Sequence, residues 1–280
     1  MKKVSVFPSR HKAFDPESAA QAVKIIQENG AVALLSVDYE YSGIDAEYVE
    51  NSELGNTEML VVLGGDGSIL GAAREFGHCN VPILGINHGR LGFLAELEKS
   101  DAEGFKKILQ GDYTVNNHAM IVIEVGGKSF FALNDAVMHR GGFSRMIDFV
   151  IYVDDKPMGN IISDGLIVST PTGSTAYSFS AGGPIADPAL DVIIITPICP
   201  HDLNSRSIIL PMDKTIRIVV KDVEKSKSVI TIDGQLAHML DDGEEIIIKR
   251  GGKVGLVRSK GSIFYDRLRK KLFEKNNGGC

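Results

Sequence analysis

The sequence predicts a two-domain protein: an α/β N-terminal domain followed by a mostly antiparallel β C-terminal domain, an α+β arrangement overall. Three observations carry this. Up to about residue 112, short apolar runs alternate with segments of helical period, as βα units do. Beyond that point, β-branched and alternating runs follow one another, separated by turn residues. The length of 280 residues also exceeds the roughly 100–200 of a common single domain. The expected division is 1–112 for the α/β domain, rejoined by a C-terminal helix over 263–280, and 113–262 for the β-rich domain.

Within the first domain, residues 4–7 read as the opening strand. Asp15, Pro16 and Glu17 then supply an N-cap, a first-turn proline and a dipole-favoured acid. Apolar residues at 19, 20, 23 and 26 define the buried face of a helix that ends at Gly30. Runs 31–35, 59–63 and 82–86 are nearly all apolar, as parallel strands covered on both faces are. Helices are expected over 69–76 and 101–110, the latter ended by Gly111. The β domain reads as strands over 119–125, 130–137, 147–153, 165–169, 192–196, 216–220, 229–232 and 246–249. The tail from 263 to 275, apolar at 264, 268 and 272 among Lys and Arg, reads as a helix that packs on the first domain.

Charge narrows the partners. Lys and Arg number 30 against 36 Asp and Glu, and no basic run is interleaved with aromatics, which argues against nucleic acid. A polyanionic ligand would be held locally, by backbone N–H groups, a few cations or a divalent metal, magnesium first. The opening MKKVSVFPSR lacks the apolar core of a secretory signal, and no apolar run reaches the roughly 20 residues that span a bilayer. Cys79, Cys199 and Cys280 are odd in number and widely spaced, against a disulfide framework or a zinc cage. The expectation is a cytoplasmic protein with no membrane partner. Cys199 with His201 lacks a second ligand pair and is taken as structural.

The sharpest motif is Gly64-Gly65-Asp66-Gly67-Ser68, directly after the apolar run 59–63 and before a helix. Ligands of open α/β sheets bind at the carboxyl ends of strands. The glycines let backbone approach a phosphate, and the helix N-terminus adds N–H groups and a positive dipole end. A carboxylate beside phosphates points to proton or metal chemistry; the alternative is a strand–turn–helix junction whose Asp66 caps the helix. The only Gly-Lys-Ser, at 127–129, lacks the first Walker glycine and reads as a hairpin turn, and the G-x-G-x-x-G dinucleotide fingerprint is missed by one residue.

A second cluster, Asn87-His88-Gly89-Arg90-Leu91-Gly92-Phe93-Leu94, follows the strand 82–86. Arg90 is placed to meet a phosphate and Phe93 to wall a pocket, or the segment is a turn with a core phenylalanine. The third constellation runs from Ser163-Asp164-Gly165 through Thr170-Pro171-Thr172-Gly173-Ser174-Thr175-Ala176-Tyr177 to Ser180 and Gly182-Gly183. It is rich in hydroxyls, has one acid and lacks Lys and Arg. That suits ribose, adenine or carboxamide groups, with Tyr177 available for stacking; the alternative is a Ser/Thr-rich loop capping a helix. Asn134-Asp135 and Asp233-Gly234-Gln235 each put an acid at a strand end, where turns also use Asp.

In order, GGDGS, NHGRLGFL, LND, SDGLIVSTPTGSTAYSFSAGGP, TPICPH and DGQ resemble the NAD kinase family, over about residues 61–235. The resemblance implies an α/β domain and a β domain with a cleft between them. It also implies a divalent cation, NAD and ATP or polyphosphate as substrates, and a homodimer or homotetramer. Asp66 matches the family's catalytic aspartate, Gly64, Gly65 and Gly67 its phosphate loop, and Phe93 a pocket wall. Asn134 matches the Asn of an Asn-Glu pair whose second member is here Asp135. Asp164, Thr175, Ala176, Tyr177, Ser180 and Asp233 fall on nucleotide-binding positions. Lipid or sugar kinases share the GGDG loop without the 163–183 block, and a non-catalytic dinucleotide sensor would have no use for an intact Asp66.

Overall fold

The computed structural model describes residues 2–8, 14–89, 92–141, 146–202, 204–221 and 228–274. The chain forms two compact units, Met1–Asn117 with Val254–Cys280, and His118–Lys253. Among the described residues no helix is long and apolar enough to cross a membrane.

The first unit is built from β1 (Lys3–Pro8), α1 (Pro16–Glu28), β2 (Val32–Ser36), β3 (Glu47–Val49), β4 (Met59–Leu63), α2 (Asp66–Phe76), β5 (Ile83–Asn87), the short β6 (Leu97–Glu98) and α3 (Ala102–Leu109). Its strands are parallel in the order β3-β2-β1-β4-β5. Alternation of side chains sends Val4, Val6, Val61, Leu63, Leu84 and Ile86 into a core shared with Ala19, Val23 and Ile26 of α1 and Phe105 and Ile108 of α3. Phe7 points to the other face, where its ring meets Phe76 of α2 edge-on at 5.3 Å. The strand order reverses between β1 and β4, so the loop after β4 falls at the switch point where open α/β sheets bind ligands.

The strand pairings of the second unit are antiparallel among the described residues. It holds β7 (Tyr113–Val125, entered from the first unit), β8 (Lys128–Ala132), β9 (Asp135–His139), β10 (Ile147–Val153), β11 (Lys156–Ser163), β12 (Gly165–Ser169), α4 (Tyr177–Ser180), β13 (Val192–Ile198), β14 (Ile208–Pro211), β15 (Ile216–Lys221), β16 (Ser228–Ile232), β17 (Leu236–Leu240) and the start of β18 (Glu245–Ser259). One sheet runs β14-β13-β12-β9-β16-β17; β11-β10-β15-β18 belong to a second, as does the β7–β8 hairpin. Inward residues of both, among them Phe149, Ile218, Ile246, Met138, Val168, Ile195 and Ile230, form a single core. The C-terminal part of β18 returns to the first unit, pairing Leu256 with Ile83, and α5 (Phe264–Leu268) follows.

Several elements differ from the sequence reading. The run 130–137 is two strands, β8 and β9, interrupted at Leu133 and Asn134. The helix read from residue 69 starts three residues earlier, making Asp66 its first residue. β3, β11, β14 and β17 escape the reading because they are short or expose most of their side chains. The tail has one α-helical stretch and then a π-helical turn, Arg269–Phe273. The Gly-Lys-Ser run does lie at a hairpin, where Val125 pairs with Lys128 across a two-residue turn.

The Asp15 side chain accepts from Ser18 N at 3.1 Å and from Lys99 Nζ at 3.1 Å, capping α1. The Ser18 hydroxyl and N–H, then Lys99, hold its carboxyl well below the usual range. Asp15→Ala is expected to cost about 1 kcal/mol, read as a Tm lower by about 2–4 °C in a thermal melt at neutral pH. An unchanged Tm would show the cap to be idle.

Candidate active site

Gly65 is the N-cap of α2, so Asp66 stands at the first helical position. Its carboxylate, half-buried, turns away from the helix and accepts from three successive backbone N–H groups: Phe93 at 2.8 Å, Leu94 at 3.1 Å and Ala95 at 3.3 Å. The junction is therefore more than a cap, because the Asp66 carboxylate ties a second loop to the head of α2. Gly92 makes the approach possible; a Cβ there would overlap the Asp66 carboxylate. Thus the GGDG and NHGRLGFL motifs, separate in sequence, are one structural feature. Phe93 is half-buried beside it. Arg90 lies outside the described residues. His88 Nδ1 is 3.6 Å from the Asp15 carboxylate, at the end of α1.

The carbonyl side of residues 93–95 faces two arginines. Arg258 donates to Leu94 O at 2.8 Å and to Phe93 O at 3.4 Å, and Arg267 donates to Ala95 O and Phe93 O. Glu96 accepts from both arginines and, at 3.0 Å, from Ser259 N. Burial, then the neighbouring Arg267, lowers the Arg258 guanidinium to about 10, so it stays charged at neutral pH. None of Glu96, Arg258 and Arg267 carries a sequence signal: the arginines come from about 160 residues downstream.

A second aspartate repeats the arrangement in the other unit. Asp233 accepts from Leu133 N at 3.2 Å, Asn134 N at 2.8 Å and Asp135 N at 3.2 Å. Thr170 completes the clamp, its N–H donating to Asn134 O at 2.9 Å and its hydroxyl to Leu133 O at 2.6 Å. Gly173 lies so close that a Cβ would overlap the Asn134 carbonyl. This clamp is what splits the run 130–137 into two strands. Asp233 is buried and engaged with backbone, while Asn134 remains half-exposed.

Asp135 is 3% exposed. Burial, then the Asp233 carboxylate, pushes its carboxyl up to about 7. Ser169 is its cross-strand partner, and the buried Ser169 hydroxyl has no hydrogen-bond partner among the described residues.

The hydroxyl-rich run divides into two classes. Ser163 donates to Gly165 O, Ser174 to Pro171 O, Ser178 lies 3.0 Å from the Thr196 hydroxyl, and Thr172 lies 2.9 Å from His118 Nδ1; all four are buried. Thr175 and Ala176 are half-buried, and Tyr177 and Ser180 are exposed, at the start and end of α4. Asp164 does not join them. It sits at the opposite end of β12, about 17 Å of extended chain from Ser169, with Arg140 Nη1 at 3.4 Å. Cys199 and His201 are both exposed.

An acid oriented at a glycine-rich strand–helix junction, on the switch point of a parallel sheet, defines a nucleotide-dependent phosphotransferase. Comparison with known proteins is specific. Residues 13–113 match the ATP-NAD kinase N-terminal domain and residues 133–258 the ATP-NAD kinase C-terminal domain. An NAD kinase of Carboxydothermus hydrogenoformans is 44% identical, covering 82% of this chain and 84% of that protein. One from Caldanaerobacter subterraneus subsp. tengcongensis is 41% identical over 98% and 100%. Yeast NADH kinase, solved with NADH, superposes with a TM-score of 0.86 at 25% identity, covering 100% of this chain and 89% of that one. An Archaeoglobus fulgidus NAD kinase solved with ATP has the same fold, with a TM-score of 0.75 at 24% identity, over 96% of this chain and 97% of that one. The chain belongs to the NAD kinase family, and its activity is that family's, the ATP-dependent phosphorylation of NAD to NADP.

The Asp135 proton has a consequence for stability. With the carboxyl's folded value raised from 3.8 to about 7, the folded state binds more protons than the unfolded state between those limits. Its contribution is full below about pH 4 and is lost as pH rises through about 7, at up to about 1.4 kcal/mol per pH unit. Asp135→Asn should flatten the fall of Tm between pH 5 and 8 and raise Tm at pH 8. Parallel Tm curves for the two proteins would refute a protonated Asp135.

Proposed function

We propose that Asp66 is the general base of the transfer. Its carboxylate takes the proton of the adenosine 2′-hydroxyl of NAD as that oxygen bonds the γ-phosphorus of ATP. The bond from the γ-phosphorus to the bridging oxygen breaks, and ADP leaves with that electron pair. The observation that carries this is the three-amide grip on Asp66. Of the roughly four acceptor positions of a carboxylate, three are filled, which leaves one for a hydroxyl and fixes its direction. Phosphoryl transfer depends on such positioning more than on covalent chemistry.

Gly64, Gly65 and Gly67, at the start of α2, bring backbone and helix dipole to the donor phosphates. Phe93, next to the acid, is read as a wall of the acceptor pocket. Thr175, Ala176, Tyr177 and Ser180 form the nucleoside surface, supported by the exposure of Tyr177 and Ser180 in a run where Ser163, Thr170, Ser174 and Ser178 are bonded within their own unit. Asn134 and Asp135, whose carboxyl burial and the Asp233 charge raise to about 7, are read as polar partners of the dinucleotide, and Asp233 acts on them as a clamp. Asp164, at the other end of β12, is read as a pocket aspartate that contacts the dinucleotide apart from that group.

A divalent cation, magnesium in our reading, enters with the donor phosphates. Among the described residues no three His, Cys, Asp or Glu side chains are grouped to hold a metal. Polyphosphate is a second donor to try. The family resemblance supports a homodimer or homotetramer in the cytoplasm.

Incubation with NAD, ATP and a divalent cation, followed by a strictly NADP-dependent dehydrogenase, should yield reduction in the coupled assay. Asp66→Asn should keep the fold and lower kcat by about 10²–10⁴-fold; turnover at the wild-type rate would remove Asp66 from the mechanism.

Tyr177 is 48% exposed, so its truncation should not unfold the protein. Tyr177→Ala is expected to weaken NAD binding in calorimetry by about 1–3 kcal/mol through lost ring stacking. Unaltered affinity with a lowered Tm would make Tyr177 a packing residue instead.

A further inference from the structure

Residues 93–95 bond on both sides. Every one of their N–H groups is directed at Asp66, and every one of their carbonyls accepts from Arg258 or Arg267. Two of the peptide groups involved are bonded at both ends. The group formed by Phe93 C=O and Leu94 N–H takes an arginine at its oxygen and Asp66 at its nitrogen. So does the group formed by Leu94 C=O and Ala95 N–H. Arg258 reaches both oxygens, through Nη1 to Leu94 and Nη2 to Phe93. Hydrogen bonds chained through a peptide polarise one another, and the planar guanidinium fork sets the orientation of both groups together. Asp66 and Arg258 also sense each other electrostatically.

Arg258 is in turn held in place. It is 5% exposed, lies 3.3 Å from Glu96, and sits on β18 one residue before Ser259, whose N–H is bonded to the same carboxylate. A buried ion pair is by itself weak evidence of a stabilising role, though removing one partner leaves the other charge buried. Its geometry serves the loop.

We propose that Arg258 is a positioning residue for the phosphoryl transfer, holding the peptide groups of residues 93–95 so that their N–H groups aim the Asp66 carboxylate at the acceptor hydroxyl. Glu96 holds Arg258, and Arg267 shares the load at Ala95. This rests on the reading of Asp66 as the base.

The test is a double-mutant cycle on kcat with wild type, Arg258→Met, Asp66→Asn and the double variant, each checked by thermal melt. A misplacement of about 1 Å at a reacting group can cost 10²-fold, so Arg258→Met should lower kcat by about 10–100-fold, with KM for NAD moved far less. In the Asp66→Asn background the same change should cost less than about 2-fold, because coupled residues are non-additive. Arg258→Lys, which keeps the charge without the fork, should fall between wild type and Arg258→Met. It replaces Arg258→Met in the cycle if that variant does not fold.

Equal losses in both backgrounds would overturn the inference and leave Asp66 as the base. So would a lowered Tm with unchanged kcat. Asp66→Asn at the wild-type rate would overturn both readings, and it is visible in the single variant alone.

Discussion

The structure depends on one interaction used twice: an aspartate carboxylate captured by three consecutive backbone N–H groups. Loop amides lie outside the sheet ladders, and a buried N–H without an acceptor is costly. An ionised carboxylate, which only accepts, satisfies three such groups at once with charge-assisted bonds. The loop's shape and the acid's direction therefore become a single variable. At residues 93–95 the acid is Asp66, and at residues 133–135 it is Asp233.

The two copies differ in exposure, and exposure decides what each does. Asp66 is half-buried at the head of α2, just past the end of β4. Asp233 is buried, and its effect is felt on what it holds: it interrupts a strand at Leu133 and Asn134 and lies against a second buried carboxyl, Asp135. Two carboxyls in so dry a place cannot both ionise cheaply, which is why Asp135 takes up a proton where an isolated Asp would not. Burial first, and then the Asp233 carboxylate, raise the Asp135 carboxyl to about 7, beside a half-exposed amide.

Hydroxyls show the same economy. Ser163, Ser174, Ser178 and Thr170 lie in the run most specific to the family, yet they bond carbonyls and other hydroxyls of their own unit. They shape the turn at 170–176 so that Tyr177 and Ser180 emerge from it. The motif is as much a folding instruction as a ligand surface, and a motif reading alone weights all of its residues equally.

Much of this was legible in one dimension because it depends on local pattern. Apolar runs and helical periods marked β1, β4, β10, β12, α1 and α3 closely, and the order of motifs identified the family. The strand from 130 to 137 was read through its break, because the residues there are compatible with a strand and nothing nearby announces Asp233, a hundred positions on. Sequence spacing marked Asp66 as chemically out of place beside a phosphate loop, but not what orients it. Glu96, Arg258 and Arg267 had no readable role, since hydrogen bonds between residues more than 150 positions apart leave no periodicity. The amino-acid order by itself determined most of the elements and the family, and it singled out Asp66 as an acid in an unusual place. Only the tertiary structure decided which backbone groups surround that acid, because a carboxylate's partners are set by which loops the sheet brings within about 3 Å of it, and no local pattern encodes that distance.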